Sequence, residues 1–101
     1  MHGVLITFDC EASAATLSAP FTDYASALQR QPGLISKAWI VTDTGYGGFH
    51  VFTDRSAADN YLGSDLAAGL MATDGFDHFQ VRHYDVLDDL SAMTGVSPVT
   101  A

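Results

Sequence analysis

Ser36-Lys-Ala-Trp-Ile-Val-Thr-Asp-Thr-Gly-Tyr-Gly-Gly-Phe-His-Val-Phe-Thr-Asp54 is the stretch whose reading decides the fold. β-Branched and aromatic residues run on either side of Asp43-Thr-Gly-Tyr46, and glycine supplies the positive φ of a tight turn, so the stretch reads as a β-hairpin. With Thr44-Gly45 as a two-residue loop, Asp43 stands opposite Tyr46, Val41 opposite Gly48, Trp39 opposite His50, and Lys37 opposite Phe52. The only tryptophan and one of four histidines then share a face. An indole opposite an imidazole, with a glycine leaving room beside them, forms a slot for a flat ligand. The same pair also reads as a cross-strand contact that only stabilises the sheet. A slip of one residue would dissolve it.

Before the hairpin, Val4, Ile6 and Phe8 alternate with Leu5, Thr7 and Asp9, which predicts a first strand over His2 to Cys10. Small polar residues follow to Ala19. Pro20 suits the first turn of a helix, where a missing N–H costs nothing, and Phe21, Tyr24, Ala25 and Leu28 recur at helical spacing. Gln31-Pro-Gly33 ends that helix. After the hairpin, Asp54 caps a second helix with Ala58, Tyr61 and Leu62 inward. Gly63-Ser64 breaks it and opens another piece from Asp65 to about Met71. Thr73-Asp-Gly75 is a turn, and Phe76 to Leu87 alternates as the last strand. The tail, residues 88–101, holds one helical turn around Leu90-Ser-Ala-Met93 and is expected to be partly disordered beyond it.

A chain of 101 residues is one domain. At 48% hydrophobic and 16% charged residues it is too apolar for disorder. No apolar run reaches membrane-span length, and Met1-His-Gly-Val-Leu-Ile6 lacks a basic leader, so the protein is read as cytoplasmic. Cys10 is the single cysteine; it reads as a small residue at a strand end. Twelve acidic residues against four Lys+Arg give a formal charge of −8, which repels phosphate backbones and anionic lipid. Neither nucleic acid nor membrane is an expected partner.

The order βαββαβ closes, by right-handed crossovers, into a four-stranded antiparallel sheet with its helices on one face: the ferredoxin-like α+β fold. Both sheet faces carry apolar residues. Val4, Ile6 and Phe8 oppose Leu5, and Phe49 and Val51 oppose Phe52. Two short helices cover only one face, and a bare second face exceeds the apolar patch that soluble monomers carry. A second copy is the economical cover, which predicts a homodimer.

Pro32-Gly-Leu-Ile-Ser-Lys-Ala-Trp39, Gly47-Gly-Phe-His-Val-Phe-Thr-Asp54, Ala57-Ala-Asp-Asn-Tyr-Leu62, Tyr84-Asp-Val86 and Leu90-Ser91 together resemble the YdhR-type monooxygenases of the dimeric α+β barrel superfamily. The likeness runs from Gln31 to Ser91. It implies a two-sheet dimer and, by analogy with cofactor-independent monooxygenases, oxidation of a small aromatic or polyketide-like molecule. The sequence departs from the family pattern in a shorter hairpin loop and at His50 and His83, where Tyr- or Val-like residues are expected.

The residues themselves favour proton chemistry. His2, His50, His78 and His83 lack metal-ligand spacing, and Gly45-Tyr-Gly-Gly48 lies in a hairpin rather than opening a helix, so neither a metal nor a nucleotide cofactor is expected. Imidazole titrates near working pH, which makes His50 and His83 the candidate bases; His83 reads equally as a satisfied core histidine. Candidate substrate-binding residues are Trp39, Tyr24, Tyr46, Phe52, Arg82 and Asp85. Tyr24 would donate its hydroxyl. Arg82 would orient an anion or pair with an acidic neighbour, and Asp85 would orient a base or cap the strand end. A phenolate or carbanion reacts directly with dioxygen without a cofactor. The same base would serve a cyclase, isomerase or lyase, and the same pocket would serve a non-catalytic ligand-binding or assembly module.

Overall fold

The computed structural model describes residues 1–97. Its elements are β1 (His2–Asp9), α1 (Ala14–Leu28), β2 (Leu34–Val41), β3 (Gly45–Phe52), α2 (Arg55–Leu62), α3 (Asp65–Met71), β4 (Asp77–Asp85) and α4 (Asp88–Met93). The strands form one antiparallel sheet in the order β2-β3-β1-β4, the ferredoxin-like arrangement the element order predicts. The second helical segment is two pieces, as Gly63-Ser64 indicates: Asp54 accepts from the Ala57 amide at 2.8 Å, and Ser64 from the Ala67 amide at 3.3 Å. The helical turn expected in the tail is α4; of the stretch beyond it, for which partial disorder is expected, residues 98–101 lie outside the described residues.

Two expectations need correction. Pro20 does not start α1 but sits inside it. Ser13 is the true cap, its Oγ accepting from the Thr16 amide at 3.2 Å, and Leu17 extends the inner stripe one turn further back. The hairpin pairs two residues away from the predicted register, with Val41 opposite Tyr46, Trp39 opposite Gly48 and Lys37 opposite His50. Gly45 has no positive φ, so it does not make the turn. It is small because β1 passes close by: a Cβ there would lie 2.1 Å from the Phe8 carbonyl oxygen. Thr42 to Thr44 form the loop instead, and the Thr44 carbonyl accepts from the Cys10 amide at 3.0 Å. An even slip preserves faces, so Trp39 and His50 remain on one side of the sheet.

That side carries the core. Val4, Ile6 and Phe52 pack with Leu28 of α1, Ala58 and Tyr61 of α2, and Ala67 of α3, all buried. On the opposite face the register aligns Ala38, Phe49 and Leu5 in one row and places Tyr84 beside Gly3. The Phe49 and Tyr84 rings stand 6.3 Å apart there, on the face opposite the core by strand parity.

Candidate active site

β3 brings His50 to the middle of the sheet, where it is 1% exposed. Its Nδ1 lies 3.1 Å from the Val4 carbonyl oxygen. A carbonyl only accepts, so in the neutral ring Nδ1 carries the proton and the lone pair resides on Nε2. Nε2 is buried and has no partner among the described residues. Burial holds this imidazole down to about 4, the positive charge of Lys37 adds to that effect, and the Val4 and Gly48 backbone opposes it. At neutral pH the ring is therefore an uncharged hydrogen-bond acceptor.

Around it, Phe21 and Tyr24 of α1, Lys37 and Trp39 of β2, Tyr46 of β3 and Leu70 of α3 are among the residues enclosing a chamber of about 20 Å³. That is room for one water-sized or diatomic molecule, or one hydroxyl. The Phe21 ring lies 5.1 Å from the Trp39 ring and 5.6 Å, edge-on, from that of Tyr46. Tyr46 is fixed by its hydroxyl, which donates to the Ala12 carbonyl at 2.7 Å. Phe21, Tyr24 and Leu70 also line a much larger cleft of about 1010 Å³, running between α1, α3 and the adjoining ends of β1 and β4. These three side chains divide an outer space of ligand size from an inner one of atom size.

Of the residues singled out in the sequence, the fold brings together His50, Trp39, Tyr24 and Tyr46. Phe52 does not line either space; it is fully buried between His50 and Tyr61 ring contacts, at 6.2 and 5.7 Å. His83 lies on the helix-bearing face one strand beyond Val4, and its Nδ1 is 2.8 Å from Nε2 of His2 rather than at the chamber. Arg82 is exposed on the other face, opposite Leu5, with Gln80 3.5 Å away. Asp85 pairs with His2 at the far end of β4.

Lys37 was not singled out. The legible signal was its position two residues before Trp39, on the same strand face, as the only lysine of the chain. Its Nζ sits 3.5 Å from the centroid of the Trp39 ring and 5.2 Å from that of Tyr24. Gly48 makes this placement possible, since a Cβ there would come within 2.4 Å of the Lys37 Cε. Burial lowers the ammonium from its usual range to about 8. Among the described residues no group of three or more His, Cys, Asp or Glu side chains is arranged to hold a metal ion, and no helix is long and apolar enough to cross a membrane.

An antiparallel sheet in the order β2-β3-β1-β4 with helices packed on one face defines a ferredoxin-like α+β domain. The chain belongs to the family described as "Putative mono-oxygenase ydhR", whose model matches residues 4–97. No curated protein matches it. Among solved structures it is similar to SnoaB, a cofactor-independent oxygenase from Streptomyces nogalater, with a TM-score of 0.68 at 18% identity, over 88% of this chain and 95% of that one. A dimeric ferredoxin-like protein of unknown function from Jannaschia sp. CCS1 matches with a TM-score of 0.62 at 21% identity, over 84% and 98%. A dabb family protein from Mesorhizobium loti matches with a TM-score of 0.65 at 14% identity, over 85% and 96%. At these identities the likeness is one of fold.

Proposed function

We propose that the protein is a cofactor-independent, monooxygenase-like enzyme that oxidises a small aromatic or polyketide-like molecule and works as a homodimer. The observation that carries this reading is the free lone pair of a fully buried His50 in an aromatic chamber. Leaving such an acceptor without a partner costs on the order of 1–3 kcal/mol, a cost that a bound hydroxyl would remove. The ring system of the substrate occupies the outer cleft, and its acidic hydroxyl or enol passes Phe21 and Tyr24 to reach Nε2. Ionisation makes the substrate electron-rich enough to react with dioxygen directly. For an activated methylene the balance is R₂CH₂ + O₂ → R₂C=O + H₂O, with one oxygen entering the product and the other leaving as water. The likeness to SnoaB supports cofactor independence, and the family supports the oxygenase class.

The test is dioxygen uptake with polycyclic phenols that bear an activated methylene, comparing the native protein with His50→Phe. The ring volume is roughly kept and the lone pair is lost, so the fold should survive while turnover falls by about 10². Undiminished turnover in the variant would remove His50 from the site. Product formed equally well without dioxygen would replace the oxygenase by an isomerase or cyclase.

A further inference from the structure

His50 accepts a hydrogen bond well but keeps a proton poorly at neutral pH, so a substrate that ionises here needs another group to receive the proton and face the anion. We propose that Lys37 is that group, and that the substrate is consequently a neutral phenol or enol without a carboxylate. This rests on the placement of the substrate hydroxyl argued above. Lys37 is directly opposite His50 in the β2–β3 ladder and lines the same chamber. It makes no ion pair and no hydrogen bond among the described residues, although the chain carries twelve carboxylates. Its nearest company is two ring faces, which attract a cation without neutralising it. A half-buried ammonium with no counter-ion, beside a buried acceptor with no donor, is complementary to one hydroxyl that donates to His50 and then ionises against Lys37.

The proton transfer needs no oxidant. The free amine takes the proton, the substrate O–H bond breaks, an N–H bond forms, and the electron pair stays on the substrate oxygen. The ammonium's fall to about 8 leaves enough free amine near neutrality for this role, whereas His50 at about 4 is too weak a base. The titratable groups lining the chamber with Lys37 are His50 and Tyr46 from β3 and Tyr24 from α1; the rest of the lining is aromatic, aliphatic or glycine, and none of it is a carboxylate. The outer cleft has the opposite character. Asp9, Glu11, Asp65, Asp74 and Asp77 line it, and its one imidazole, His78, is bonded to Asp9 at 3.0 Å. Such a rim repels carboxylated molecules and admits neutral ones, so the anion forms only inside.

The chain contains one lysine and one tryptophan, in contact, so Trp39 emission reports the charge on Lys37. In the intact protein that emission should titrate with a midpoint near 8, and the step should vanish in Lys37→Met, or in Lys37→Gln if the first variant does not fold. 4-Nitrophenol, whose phenolate is yellow, then reads ionisation in the site without any oxygen chemistry. Bound to the native protein it should ionise on the order of one pH unit below its value in free solution. Lys37→Met should abolish the shift and Lys37→Arg, which keeps the charge, should retain it. The carboxylated analogue 5-hydroxy-2-nitrobenzoate should bind about tenfold more weakly. An unchanged Trp39 step in Lys37→Met, an equal nitrophenol shift in both proteins, equal affinity for the two probes, or no saturable nitrophenol binding would each overturn the proposal. A nitrophenol shift in a protein that consumes no dioxygen upholds Lys37 and sinks only the oxygenase reading.

Discussion

The hydroxyls of Tyr24 on α1 and Tyr61 on α2 lie 2.5 Å apart, a single hydrogen bond that ties two helices together above the chamber. Burial pushes the pKa of both phenols up and so suppresses their ionisation, and the bond joins two neutral groups across the physiological range. Tyr61 is wholly enclosed, whereas Tyr24 shows one face to the ligand spaces. One hydroxyl therefore serves the core while its partner stands at the entrance.

Tyr61→Phe removes that bond without emptying the core. It should cost about 1 kcal/mol in denaturant unfolding, the usual net worth of a buried neutral hydrogen bond. Tyr24→Phe should cost a similar amount, and the double variant should cost less than the sum of the two, because each single change already breaks the same bond.

Lys37 and His50 shape the pH dependence of stability, both with the same sign. Each is held below its ordinary value in the folded state, so the unfolded chain binds more protons wherever the two values differ. Stability should accordingly rise with pH from about 4 to 6.5 through His50 and again from about 8 to 10.5 through Lys37. Lys37→Met should stabilise the protein at pH 7, by an amount on the order of 1–3 kcal/mol, with the gain fading at the alkaline end. Thermal unfolding of both proteins across pH checks this, and a destabilised Lys37→Met would show that the lysine is held by contacts stronger than the two rings.

Gly48→Ala tests the route of the lysine. The added Cβ would fall 2.4 Å from Lys37 Cε and 3.2 Å from His50 Cε1, and the flexible lysine is the side chain able to yield. The expected outcome is a folded protein in which Trp39 no longer titrates near pH 8 and phenol binding is weakened. Circular dichroism and Trp39 fluorescence on the same sample decide it.

Phe49 and Tyr84 lie across Gly3 on the face away from the helices, with a Cβ at Gly3 only 2.7 Å from the Phe49 ring. If two such faces meet in a homodimer, light scattering should give twice the chain mass, and Phe49→Asp should give a monomer or an aggregate. A native protein that stays monomeric at high concentration would refute the pairing.

Much of the fold was legible from local signals. Asp54 and Ser64 announce their helices because a side-chain oxygen at those positions satisfies amides three residues on, and strand parity keeps Trp39 and His50 on one face in the predicted register and in the observed one, which differ by an even slip. Pro20 misled because proline at a helix start and proline within a helix look alike when the earlier turn, Ala14 to Ala19, is small and weakly patterned. Gly45 misled in the same manner, since a glycine that makes a turn cannot be told from one that lets another strand approach.

The alternation of elements, the caps of the second and third helices, and an acidic chain short of cations follow from the sequence, because these depend on neighbours a few residues apart or on composition. The tertiary structure alone decided that Lys37 faces His50, that His83 turns to His2 instead of the chamber, and that Nε2 of His50 is left without a partner. Those facts depend on which strands lie side by side and on a two-residue register set by the approach of β1, a long-range contact that no local pattern encodes.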